Sequence, residues 1–195
     1  MRNLVGLLLV TLCAHSAQAA DAPDALLLIA SPRMGAMYQQ TVLVATSVGN
    51  NRHAGFIINR PTSRSLSSLF PDHAPSKKVK APVYFGGPAM MGALFAVIRP
   101  KGTPDPRGMR LLPDTFVFGE AEAIDQIIEQ TPNEARYYVG FVAWQPGELD
   151  NEIAHGYWYV LQPDSDLLFR EDTGAMWQEL FQRARNTRQA WAVEP

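Results

Sequence analysis

The sequence predicts an α+β fold built on a mixed β-sheet. Short runs of aliphatic and β-branched residues, bounded by proline, glycine and asparagine, are typical of strands and recur through the chain. Helical patterns lie between some of them, but without the regular alternation of a doubly wound parallel sheet. No internal repeat is visible, and the length fits a single domain.

The predicted strands share high β-propensity and turn residues at both ends. They are Ala25 to Ser31, Thr41 to Ser47, Gly55 to Asn59, Pro82 to Phe85, Leu94 to Arg99, Met109 to Leu112, Thr115 to Gly119, Arg136 to Ala143 and Tyr157 to Gln162.

The clearest predicted helix is Glu120 to Gln130, which places Ile124, Ile127 and Ile128 on one face and acids in its first turn. A short helix is predicted within residues 63–71, with a serine cap, and another over Glu148 to His155. Near the C-terminus, apolar residues recur at helical spacing: Met176, Trp177, Leu180, Phe181 and Ala184.

Residues 1–19 have the pattern of a secretory signal peptide. Arg2 supplies the positive start, Leu4 to Ala14 the apolar stretch, and Ala17-Gln18-Ala19 the small-x-small cleavage site. The apolar stretch is shorter than the ~20 residues that a membrane span needs. We therefore expect residues 20–195 to form one domain that is periplasmic or secreted, with no transmembrane segment.

Composition excludes several kinds of chemistry for the processed chain. Cys13, in the predicted signal, is the only cysteine, so residues 20–195 offer no disulfide, cysteine nucleophile or thiolate metal site. His53, His73 and His155 show no metal-ligand spacing, and we expect neither a metal nor a cofactor. Net charge is −2, and no basic cluster is present, so nucleic acid is not an expected partner.

The segment GFIINRPT, Gly55 to Thr62, ends a predicted strand on a cation. Pro61 disfavours helical geometry at Arg60 and removes a backbone donor, so the strand must end or reach a sheet edge. A guanidinium is a planar fork of donors that suits a carboxylate or phosphate, which makes Asn59, Arg60 and Thr62 candidates for ligand binding. Alternatively, Arg60 pairs with an internal acid and holds a turn.

The segment VYFGGP, residues 83–88, carries Gly86 and Gly87 at the end of a strand. Two glycines allow unusual backbone conformations and close approach of another chain or a ligand. The spacing is not that of a phosphate loop. A sterically required turn and an anion-binding nest are both consistent with it.

The segment GFVAWQPGELDNEI, residues 140–153, turns into a helix after Pro146 and Gly147. Glu148 and Glu152 share one helical face and could do acid–base work, but acids are also favoured there by the helix dipole. Trp144 could be a core residue or the floor of a groove.

Several motifs together resemble the YqgE/AlgH family of bacteria. They are LLLIASPRM (26–34), TVLVA (41–45), GFIINRPT (55–62), VYFGGP (83–88), LF (94–95) and GFVAWQPGELDNEI (140–153) followed by Trp158. The resemblance implies a single α+β domain with a branched sheet surrounded by helices. It implies no established enzyme activity, although the AlgH name is associated with transcriptional regulation.

The chain departs from the family pattern at two places. Thr46-Ser47 stands where relatives usually have a glutamate–histidine pair, and Gly140 to Gln145 lacks two glycines of the usual G-x-x-G-W-G. Relatives are also generally cytoplasmic, whereas this chain begins with an export signal.

Three functions compete at this point, and no catalytic residue is assigned. The first is a non-catalytic periplasmic protein that binds an unidentified protein or small anionic ligand, with Arg60, Gly86-Gly87 and Trp144 to Glu148 converging on one groove. The second is a hydrolase that uses Glu148 or Glu152 as base while Arg60 holds an anion. The third is the regulator that the family label suggests, which export and acidic charge disfavour.

Overall fold

The computed structural model describes residues 25–191, so the predicted signal peptide, residues 1–19, lies outside them. The strands are β1 (Leu26–Ala30), β2 (Val42–Ser47), β3 (His53–Ile57), β4 (Pro61–Ser65), β5 (Pro82–Phe85), β6 (Ala89–Ile98), β7 (Met109–Leu112), β8 (Thr115–Phe118), β9 (Ala135–Trp144) and β10 (Trp158–Leu161). The α-helices are α1 (Leu66–Leu69), α2 (Ala121–Gln130), α3 (Glu148–Ala154), α4 (Ser165–Phe169) and α5 (Met176–Trp191). Short 3-10 helices span Ala36–Tyr38 and Ala74–Lys78.

Every predicted strand is present, which confirms the α+β fold class. Strand β4, helix α4 and the two 3-10 helices were not predicted, and β6 begins at Ala89, ahead of the predicted Leu94. The predicted helix over residues 63–71 is only α1, capped by the Ser65 hydroxyl, because the residues before it pair with β5. Pro61 begins that edge strand, where its missing N–H is not needed.

The sheet is mixed and branched, and β9 is the strand at which it branches. The main path runs β10-β1-β2-β3-β9-β6-β8-β7, with antiparallel neighbours throughout. Strand β6 follows one edge of β9. The opposite edge is shared, because the C-terminal end of β9 pairs with β3 and its middle pairs in parallel with β5. Strand β4 then pairs with β5 and forms the branch.

Three glycines make this branch point possible. The Gly86 N–H donates to Val139 O at 2.9 Å, and Gly86 O accepts from Ile57 N at 2.9 Å, so one residue links β9 to the end of β3. A Cβ on Gly86 would overlap the carbonyl oxygen of Gly140, and a Cβ on Gly140 would overlap that of Gly87. The backbones therefore approach more closely than any side chain allows.

Alternation along the strands sends side chains to both faces of the sheet. Leu27, Ile29 and Val44 face α4 and α5, while Leu28 and Leu43 face the side that α3 covers. A third cluster packs α2 against β6 and β8, and it buries Ile124 and Ile128 as the helical spacing predicts. Between residues 25 and 191, no helix combines the length and apolar character needed to cross a bilayer.

Substituting Gly140 should destabilise the protein severely. Gly140→Ala forces a side chain into left-handed backbone (φ 66°) and into the carbonyl oxygen of Gly87. We expect a loss of about 3 kcal/mol or more in the free energy of unfolding, measured by denaturant titration.

The control is Gly92→Ala, in β6, where an added Cβ meets nothing within 4 Å. It should change the free energy of unfolding by less than about 0.5 kcal/mol. Equal losses for the two variants would contradict the close backbone approach at the branch point.

Candidate functional site

An open cleft of about 520 Å³ lies between the turn that precedes β2 and the segment that leads into α5. Asn59, Arg60 and Gln40 lie on one side of it, and Trp177 with the acids Glu171 and Asp172 on the other. Of the candidate ligand-binding residues, Asn59 and Arg60 line this cleft.

A strained turn forms the first wall. The Thr41 N–H donates to Tyr38 O at 3.2 Å. Gln39 has φ −58° and ψ 131°, and Gln40 has φ 55°, which together define a type II turn. The third position of such a turn normally belongs to glycine, so Gln40 must be held there by its surroundings.

Asn59 and Arg60 hold this turn through its carbonyl groups. Asn59 Nδ2 donates to Gln40 O at 2.9 Å, and Arg60 Nη2 donates to Gln39 O at 3.1 Å. Asn59 Oδ1 also accepts from Val42 N at 2.9 Å, which continues the β2–β3 ladder beyond the end of β3. Strand β3 ends just before these two residues. Their side chains replace the backbone partners that the turn lacks.

Arg60 is half-buried and only part of its guanidinium is used. Its Nη2 also donates to Thr41 Oγ1 at 2.8 Å. Nε and Nη1 have no hydrogen-bond partner among residues 25–191, and no acid in that range forms an ion pair with Arg60. Burial lowers the pKa of Arg60, and Tyr38 opposes that effect. The expected turn-holding role is present, but its partners are a carbonyl and a hydroxyl instead of an acid.

Tyr38 connects the turn to the opposite face of the sheet. Its ring packs edge-on against Trp158, with ring centres 5.9 Å apart. Burial raises the pKa of the Tyr38 hydroxyl, Glu152 and Glu148 raise it further, and Arg60 lowers it. Tyr38 therefore lies within the field of both Arg60 and the acids of α3. No sequence signal distinguishes this tyrosine, and sequence reasoning missed it.

The Glu152 carboxylate binds two buried indoles. Its Oε2 accepts from Trp144 Nε1 at 2.9 Å and from Trp158 Nε1 at 2.7 Å. The two indole rings are edge-to-face, 6.5 Å apart, and each tryptophan is 4% exposed. Glu148 Oε2 accepts from Gln145 N at 2.8 Å and so closes the turn before α3. Both acids thus support local structure.

The remaining candidates lie outside the cleft. Thr62 Oγ1 donates to Val83 O at 2.6 Å, a contact between β4 and β5. Gly86 and Gly87 lie at the branch point of the sheet, where the Gly86 N–H already donates to Val139 O. Trp144 ends β9, and Glu148 is the first residue of α3. The structure thus distributes these residues over separate places, and their binding of a ligand stays a prediction.

The branched sheet, with helices on its faces, defines a single-domain α+β protein. The family model described as AlgH-like matches residues 27–188, so this chain belongs to the AlgH-like family. The resemblance in the sequence motifs is confirmed.

Known relatives and solved structures agree with this assignment. A UPF0301 protein of Chlorobium limicola is 24% identical over 158 residues, which cover 80% of this chain and 82% of the relative. The solution structure of the AlgH protein from Pseudomonas aeruginosa has a TM-score of 0.62 at 24% identity, covering 74% of this chain and 79% of AlgH. A crystal structure from Corynebacterium diphtheriae has a TM-score of 0.67 at 20% identity, covering 83% and 86%. Their names state no activity, substrate or partner.

Removing the Glu152 acceptor should cost stability. Glu152→Ala leaves two buried indole N–H groups without their carboxylate, and we expect a loss of about 3 kcal/mol in the free energy of unfolding. Glu152→Gln keeps an acceptor oxygen and should recover part of that loss. Denaturant unfolding, followed by tryptophan fluorescence, measures both.

Asp150→Ala is the matched control, because Asp150 is an exposed acid in the same helix. Asp150→Ala should lower the free energy of unfolding by less than about 1 kcal/mol, the range of a helix-dipole effect. A Glu152→Ala loss no larger than this control would contradict the structural role of the carboxylate.

Proposed function

We propose that this protein is a non-catalytic binding protein, and that the cleft beside Arg60 is its ligand site. The observation that carries the proposal is the half-buried guanidinium, which uses Nη2 for the turn and has no acid partner among residues 25–191. A cation held in place by its own scaffold is preorganised for an anionic group.

The charges around the cleft narrow the ligand chemistry. Glu171 and Asp172 line the same cleft as Arg60. A wholly anionic ligand would be repelled by these acids, whereas a ligand with both a carboxylate and an ammonium group meets a counter-charge on each side. The volume of about 520 Å³ is that of a small-molecule site. Free amino acids and the ends of short peptides have this chemistry.

The proposed location is the periplasm or the exterior of the cell. This part of the proposal rests on the signal-peptide pattern of residues 1–19. Amino acids and cell-wall peptides are ligands that such a location would offer.

The two alternative functions have weaker support. For a hydrolase, the base would be Glu148 or Glu152, yet Glu148 closes a turn and Glu152 holds two indoles, and neither lines the Arg60 cleft. For a DNA-binding regulator, the net charge of −2 offers little neutralisation of phosphates.

The test is thermal stability of the purified chain against amino acids, short peptides and simple carboxylates, for the parent and Arg60→Met. A ligand that binds only the folded state should stabilise the parent, by about 2.7 kcal/mol at 100 times its dissociation constant. Arg60→Met should lose this response, and should itself be less stable by about 1–2 kcal/mol, because two hydrogen bonds to the turn are removed.

Arg64→Met is the matched control, because Arg64 is an exposed arginine in the neighbouring strand β4. It should keep both the ligand response and the parent stability. A response that survives in Arg60→Met, or no response of the parent to any ligand in the panel, would overturn the proposed site.

A further inference from the structure

A second group of polar side chains lies on other elements than those that line the Arg60 cleft. His73 comes just before the 3-10 helix Ala74–Lys78, while Asp125 and Glu129 lie one turn apart on α2. One ring nitrogen of His73 and one carboxylate oxygen from each acid all lie within 4.8 Å of one another. His73 Nε2 is 2.9 Å from Asp125 Oδ1.

A hydrogen bond to Ser76 orients the imidazole ring of His73. His73 Nδ1 is 2.6 Å from the hydroxyl of Ser76, a residue that is 0% exposed. This contact holds the ring while Nε2 contacts the Asp125 carboxylate. Metal-binding histidines are held in the same way, since their second ring nitrogen bonds to a neighbouring oxygen.

The two carboxylates present like charges on one helix face. At this spacing, two like charges on a helix repel each other. A cation between them removes the repulsion. Within the described part of the chain, neither Asp125 nor Glu129 has a lysine or arginine ion-pair partner.

The group also lies at an apolar cleft of about 610 Å³. His73 and Asp125 line this cleft together with Phe70, Leu94, Ile124 and Ile128. Phe70 is 41% exposed there, which is high for a large apolar side chain. An apolar cleft with a few convergent polar groups is the usual form of a small-molecule site.

We propose that His73, Asp125 and Glu129 form a binding site for a divalent transition metal ion at the mouth of this cleft. One imidazole nitrogen and two carboxylates match zinc, which accepts nitrogen and oxygen ligands and leaves a position open when three protein ligands bind it. Magnesium is a poor match, because it prefers a full set of oxygen ligands. The open position would accept water or an anionic group of a molecule in the cleft.

The proposal is independent of the Arg60 site and goes beyond it. Motif spacing gives no metal site here, because His73 and the two acids belong to separate segments that only the fold brings together. Metal binding must displace the direct His73–Asp125 contact, because both side chains become ligands of the ion.

Isothermal titration calorimetry with ZnCl₂, on chelator-treated purified protein, tests the site. We expect one zinc per chain for the parent and little heat with MgCl₂. His73→Ala and Glu129→Gln should each weaken zinc binding at least about tenfold, since even outer-shell partners of a metal contribute that much. Circular dichroism and thermal unfolding check that the variants are folded, which we expect because Glu129 is exposed.

Two controls separate this site from general surface binding. His155→Ala removes an exposed histidine elsewhere, and Glu120→Gln removes an exposed acid at the N-terminal end of the same helix, outside both the cluster and the cleft. Both should bind zinc as the parent does. No zinc binding by the parent, or equal affinity in the parent, His73→Ala and Glu129→Gln, would overturn the proposal.

Discussion

The close backbone crossing at Gly86, Gly87 and Gly140 is the constraint on which the rest of the fold depends. Strand β6 occupies one edge of β9, so β3 and β5 must share the opposite edge. They can do so only because Gly86 bonds to Val139 on one side and to Ile57 on the other. Without side chains at the crossing, the chain passes from one ladder to the next with its backbone groups paired, as a buried backbone requires.

The same crossing determines where Arg60 lies. Where β3 leaves β9, the Phe85 N–H donates to Arg60 O at 2.9 Å, so the backbone of Arg60 is tied to the branch strand β5. Its side chain then reaches back to the turn at Gln39, and Asn59 binds the next carbonyl. One short segment thus joins the branch, the strained turn and the cleft. The cation is positioned by the scaffold through Nη2.

Strand positions could be predicted because alternation and turn residues are local signals, and the glycine pair indicated a close approach. The tertiary partners could not be predicted. Glu152 looked like an acid for catalysis, but two tryptophans from different strands converge on it. Arg136 lies within a predicted buried strand and is 5% exposed, with its guanidinium carbon 4.5 Å from the Tyr84 ring centre, a contact between β9 and β5 that no local pattern encodes. Tyr38 and the His73 cluster likewise depend on distant segments.

Nuclear magnetic resonance of the side-chain N–H groups tests most directly whether Nε and Nη1 of Arg60 bind a ligand in the cleft, as we propose. Titration with a binding amino acid or peptide should shift the Arg60 Nε–H signal and the indole signal of Trp177, which lines the cleft. The indole signals of Trp144 and Trp158 should stay unchanged, because both donate to Glu152 outside the cleft. Shifts of Trp144 and Trp158 without any change at Arg60 would contradict the account.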